Sequence, residues 1–82
     1  MAEIRVLLFG PLADLARTPC VQLELAGEAK VAEILALVRG RFPSLEARLD
    51  STAVAVNLSY VGRDAVVRAG DEVALIPPVS GG

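Results

Sequence analysis

The chain has 82 residues, 54% of them hydrophobic and 22% charged, with a formal net charge of −2. That length holds one small domain, the apolar content excludes a disordered chain, and the acidic balance gives no electrostatic case for nucleic acid, which needs a basic face. A single cysteine, Cys20, and no histidine exclude an internal disulfide, zinc sites built from Cys and His, and a nucleophile–histidine pair.

Residues 3–9 alternate, with Ile4, Val6 and Leu8 on one face and Arg5, Leu7 and Phe9 on the other. The second face is too apolar to be simply solvated. Either another element covers it or it meets a partner. The acidic Glu3 and the strand pattern argue against a signal peptide. Gly10-Pro11 ends the strand, and a short helix is predicted up to Arg17 with Pro11 in its first turn. Thr18-Pro19 closes that helix, because a residue before proline leaves the helical region. Residues 20–25 alternate again, Val21, Leu23 and Leu25 against Gln22 and Glu24, which predicts a half-buried strand. Cys20 heads it, and is expected to be buried and inert.

Gly27 breaks that strand. Over residues 31–39, Val31, Ile34, Leu35 and Val38 recur at helical spacing and make one apolar stripe. Glu28 before it and Arg39 and Arg41 at its end suit the helix dipole. Gly40 is expected as the C-cap, and Pro43 confirms the stop. Residues 42–49 read as loop or as a short helix capped by Ser44, with Leu45 and Leu49 on one face. Residues 53–57 predict a small-residue strand with Val54 and Val56 facing the core. Residues 58–61 extend it or turn from it, 62–64 form a turn, and 65–68 are a short strand or an irregular link. Gly70-Asp71 is a turn signal, and Asp71 is expected to serve that turn.

Residues 72–76 are a short apolar run of strand formers. Pro77 and Pro78 then stiffen the backbone into an extended exit, since each lacks a donor and fixes φ. Val79, Ser80, Gly81 and Gly82 follow. Read this way, a stiff stalk carries a slender tip that ends in a free carboxylate. Two glycines present no Cβ, so such a tip threads a channel too narrow for other residues. A terminal carboxylate can also be activated as an acyl adenylate. The bland alternative is an idle, floppy end. Acidic residues elsewhere are scattered without metal-binding or paired-acid spacing, and no run approaches the ~20 apolar residues that span a bilayer. The absence of an internal active site favours a carrier over an enzyme.

The run GDEVALIPPVSGG, with AVAVN before it at 53–57, resembles the small subunit of molybdopterin synthase, the sulfur carrier of molybdenum cofactor biosynthesis. The likeness covers essentially the whole chain. It is highly specific in the tail and much less so in the middle. The element order alone fits an α+β domain, one main helix packed across a mixed sheet. The resemblance selects the β-grasp, ubiquitin-like version, with the last strand parallel to the first and the tail leaving from the sheet's middle. The expected organisation is a domain over 1–76 and a flexible extended tail over 77–82.

The resemblance implies a chemistry as well. A ubiquitin-activating-type enzyme adenylates the terminal glycine, which is then converted to a thiocarboxylate. The tail inserts into the large synthase subunit, in a heterotetramer, and donates sulfur to a cyclic pyranopterin monophosphate. Gly82 would bear the sulfur, with Gly81 slender behind it and Pro77, Pro78, Val79 and Ser80 forming the stalk. No cofactor or metal is expected to be bound, no nucleic acid or membrane is expected as partner, and the expected compartment is the cytoplasm. Phe9, Tyr60 and Ile76 match the family's apolar partner surface, although Phe9 and Ile76 also read as ordinary core. Many relatives carry a basic residue where this chain has Ala13, so a polar contact there is lost or supplied by Arg17. The competing readings are a thiamine-pathway carrier, a modifier that conjugates to lysines or serves tRNA thiolation, and a β-grasp binding module with an idle tail.

Overall fold

The alternation at the start of the chain forms a strand. In a computed structural model that describes residues 2–78, β1 (Ala2–Leu8) buries Ile4, Val6 and Leu8 on one face. It pairs antiparallel with β2 (Cys20–Leu25), which buries Val21, Leu23 and Leu25. Between them α1 (Pro11–Ala16) starts on Pro11, whose missing N–H would have no helical partner at that position. It ends at Arg17, which is left-handed with φ 62°. The N–H of Thr18 then reaches back to Ala13 O at 3.2 Å. Ala13 itself packs against the core, so the segment docks through small apolar contacts.

β3 (Ala29–Lys30) leads into α2 (Val31–Arg41), whose buried residues are Val31, Ile34, Leu35 and Val38, the stripe that the spacing predicts. Two expectations at its ends are corrected. Gly40 is not a C-cap, because α2 runs through it to Arg41 and its φ is not positive. Pro43 sets the end: it drives Phe42 out of the helical region, to φ −130°, while the Phe42 N–H closes the last turn on Val38 O at 2.8 Å. At the other end Glu33 accepts the Lys30 N–H at 3.2 Å. Glu28 instead pairs with Arg68, Nε to Oε2 at 2.8 Å, and ties the loop after β2 to the segment that pairs with β3. Ser44 does not cap a helix either. It lies in a 3₁₀ turn, Pro43–Leu45, and its hydroxyl donates to Leu15 O at 3.4 Å. The helix α3 (Glu46–Leu49) follows, and Leu45 and Leu49 are both fully buried as one apolar face.

β4 (Ala53–Val56) and β5 (Ser59–Val61) form a hairpin. The guanidinium of Arg63 donates to Leu49 O at 3.0 Å and Thr52 O at 3.2 Å, which fixes the approach to β4. β6 (Val66–Val67) pairs only with β3 as a two-stranded ladder. The last strand, β7 (Glu72–Ile76), takes the middle of the five-stranded sheet, whose order is β2-β1-β7-β4-β5. It runs parallel to β1 and antiparallel to β4. Val73 and Leu75 are fully buried. At roughly 1.5–3 kcal/mol for each fully buried side chain of this size, they anchor the strand. A mixed sheet with its last strand parallel beside its first and one main helix across one face is the β-grasp architecture.

Candidate functional site

The helix covers one face of the sheet, and the other stays open. Cross-strand partners share a face, and the register runs Cys20–Leu7–Ala74–Ala55–Tyr60 in one row across all five strands. At about 4.8 Å per strand the row is roughly 19 Å long. Two alanines occupy its centre, so the surface dips between Leu7 and Tyr60. Ala55 is buried although it lies on the open face. The result is a shallow trough of about 200 Å³ lined by Leu7, Phe9, Ala55, Leu58, Tyr60, Glu72, Ala74 and Ile76.

The three residues expected as an apolar surface therefore come together. Phe9 is 46% exposed and Tyr60 72% exposed, and Ile76 is half-buried, so neither Phe9 nor Ile76 is ordinary core. Phe9 follows β1 and Ile76 ends β7, side by side in the parallel register. The chain leaves the sheet there. Pro77 is half-buried and lies against the start of α1, where a Cβ built on Gly10 would sit 3.6 Å from its Cγ. Gly10 has φ 55°, a conformation other residues resist. Pro78 is exposed. Val79, Ser80, Gly81 and Gly82 lie outside the described residues.

The far end of the trough carries a residue that the sequence reading left unassigned. Val56 pairs with Ser59, so Asn57 and Leu58 form a two-residue hairpin loop, with φ 50° and 73°. Such loops favour Asn-Gly, because both positions need positive φ. Asn57 suits the first. Leu58 does not suit the second, and the left-handed conformation costs an L side chain roughly 1–2 kcal/mol. A polar clasp holds the loop in place. Asn57 Oδ1 accepts the Glu72 N–H at 3.0 Å, Asn57 Nδ2 donates to Asp71 Oδ1 at 3.0 Å, and the Asn57 N–H donates to Glu72 O at 2.8 Å. Asp71 Oδ2 in turn accepts the Arg68 N–H at 2.8 Å. That backbone donor first, and the Asn57 amide second, hold the Asp71 carboxyl below its ordinary value of 3.8. Asp71 thus serves its turn, as expected. Leu58 stands 93% exposed at the tip. Beside it Arg5 and Glu72, 4.0 Å apart, offset each other's charge on the open face.

A wider cleft of about 950 Å³ lies between the outer edge of β2 and the end of α2. It shares no lining residue with the trough, and Arg41 Nη1 already donates to Gln22 O there at 3.0 Å. Cys20 proves half-buried instead of fully enclosed, with Thr18 Oγ1 bonded to its carbonyl at 2.8 Å. Among the described residues no three His, Cys, Asp or Glu side chains group to hold a metal, and no helix is long and apolar enough to cross a membrane.

A family model described as the ThiS family matches residues 6–82. The chain belongs to the ThiS family. Among this chain's relatives, the molybdopterin synthase sulfur carrier subunit of Arabidopsis thaliana is 36% identical over 80 residues, 98% of this chain and 83% of its own. Small archaeal modifier protein 1 of Haloferax volcanii is 36% identical over 83 residues, 92% of this chain and 95% of its own. A crystal structure of that modifier superposes with a TM-score of 0.88 at 32% identity, covering 96% of this chain and 100% of the other. A chain of the Amycolatopsis orientalis BexX/CysO complex superposes with a TM-score of 0.79 at 27% identity, covering 96% and 99%. The chain is thus a ubiquitin-like β-grasp protein, related over nearly its whole length to sulfur carrier subunits.

Proposed function

We propose that this chain is a sulfur carrier that acts as the small subunit of a molybdopterin synthase. The observation that carries the reading is the exit of the central strand β7 into Pro77-Pro78 beside an exposed apolar trough. A stalk rooted in the middle of a sheet is held on both sides, so a partner docked on the open face receives the tail at a fixed position. Residues 1–76 form the docking domain, and 77–82 the tail that reaches into the partner.

The terminal carboxylate of Gly82 attacks the α-phosphate of ATP on a ubiquitin-activating-type enzyme, releasing pyrophosphate and leaving an acyl adenylate. A sulfur nucleophile then displaces AMP and leaves a thiocarboxylate. On the large synthase subunit that sulfur adds to a carbon of a cyclic pyranopterin monophosphate, water hydrolyses the thioester so formed and restores the Gly82 carboxylate, and two such donations complete a dithiolene. Tethering the sulfur raises its effective concentration at one acceptor and keeps it from others. Gly81 keeps the segment behind the reacting carbon narrow. Phe9, Tyr60 and Ile76 are the apolar anchors on the partner, and aromatic side chains are enriched at such contacts. The acceptor subunit is supported by the name of the Arabidopsis relative, a synthase subunit.

The test is to purify the wild type, a Gly82 deletion and Gly81→Ala, and to follow adenylation, thiocarboxylate formation and dithiolene production. A mass gain of about 16 Da at the terminus marks the exchange of oxygen for sulfur on the activated acyl group. The deletion is expected to abolish transfer with melting unchanged, since one extended residue spans about 3.3 Å and near-attack geometry tolerates roughly 1 Å. Gly81→Ala slows it. Wild-type dithiolene formation by the deletion variant would replace this reading with the idle-tail binding module. The likeness to small archaeal modifier protein 1 favours a second reading, a modifier joined through Gly82 to lysines. Isopeptide-linked conjugates with no thiocarboxylate would establish that one.

A further inference from the structure

We propose that Leu58 is a second anchor for the acceptor subunit, seated in an apolar pocket of that partner at the end of the trough away from the tail. This rests on the synthase reading above and names a specificity-determining contact within it.

The fold has no use for a leucine at this position. Its side chain is 93% exposed, so it adds nothing to the core. Its φ of 73° suits glycine or asparagine. An exposed apolar group in a strained conformation is unfavourable on both counts, and the strain persists because the Asn57 clasp on Asp71 and Glu72 over-determines the loop. Leu58 is therefore exposed on a loop backbone that the clasp holds in place. It also lines the same trough as Phe9, Tyr60 and Ile76.

Area decides which partner it meets. At about 200 Å² for a whole aromatic side chain, the exposed parts of Phe9 and Tyr60 with half-buried Ile76 offer roughly 300 Å². A stable subunit interface buries about 800 Å² on each side. A lasting synthase contact must reach beyond those three residues. Leu58 is where the apolar surface continues. The hairpin tip lies level with Glu72, and the tail leaves after Ile76. At ~3.3 Å per residue the two anchors stand roughly 13 Å apart along β7. Contacts at both ends stop the domain from pivoting about the tail, and so hold Gly82 at one depth in the partner.

The variants are Leu58→Asn and Leu58→Gly, both at ease with positive φ, with Tyr60→Ala as the reference for a lost anchor. Each is titrated calorimetrically against the purified large subunit of the cognate molybdopterin synthase, melted alone, and assayed for adenylation. For the two Leu58 variants the expected result is binding to the large subunit weakened fivefold or more, a melting temperature at or above that of the unsubstituted chain, and an adenylation KM within twofold. Binding weakened less than fivefold overturns the inference, as does a lower melting temperature, which would make Leu58 structural. An equal loss in adenylation overturns it too, by moving the contact to the activating enzyme. If the unsubstituted chain forms no complex with the large subunit, the synthase reading fails and this inference falls with it.

Discussion

Asp71 makes the stability of the hairpin end depend on pH. Its carboxylate accepts the Arg68 N–H and the Asn57 amide, and both hold its pKa below the ordinary 3.8. A group whose folded pKa is depressed contributes stability above its unfolded value and loses it as pH falls through the folded one. Stability is thus expected to drop as pH is lowered past 3.8. Asp71→Asn should flatten that acid limb and cost a little stability at neutral pH, as acid titration of both proteins by circular dichroism would show. An unchanged acid limb in the variant would assign the loss to other carboxylates. Asp71 was legible from Gly70-Asp71 alone, because short acidic turns have a mechanism. Leu58 was not, since no residue-type rule places a leucine at a left-handed loop position. Phe9 carried a signal through the apolar second face of its strand, and Tyr60 only through its likeness to a family surface.

Among the elements, α2 offers the clearest correction. Gly40 followed by Pro43 resembles a stop signal, yet the proline alone ends the helix and the glycine lies within it. Glycine in a helix interior costs roughly 0.5–1 kcal/mol relative to alanine. No atom lies within 4 Å of a Cβ built at Gly40. Gly40→Ala should therefore raise stability by about 0.5–1 kcal/mol in urea titration. A left-handed C-cap would give the opposite sign, so the measurement separates the two readings. Periodicity revealed the buried face of α2 and the inward faces of β1 and β2, because long alternations leave little choice. It was silent on β3 and β6, since two residues carry no period, and on Ser44, whose hydroxyl found Leu15 O across the fold instead of its own helix.

At the scale of the whole molecule, the residues alone indicated an α+β domain with one amphipathic helix. The position of β7 between β1 and β4 came only from family likeness, because strand order depends on contacts remote in sequence that no local pattern records. That position has a kinetic consequence. As the chain emerges from a ribosome, residue 71 and everything before it appear first, and neither β1 nor β4 then has its central neighbour. The sheet cannot close until Glu72–Ile76 arrives, and by then almost all of the tail is translated too. Domains fold as units during synthesis, so a product that stops before Glu72 has no folded docking face with which to occupy a partner unproductively. A chain ending at residue 71 is accordingly expected to be unfolded by circular dichroism and to leave transfer by the intact carrier uninhibited when added in excess. Folding is thus coupled by topology to the arrival of the strand that leads into the tail.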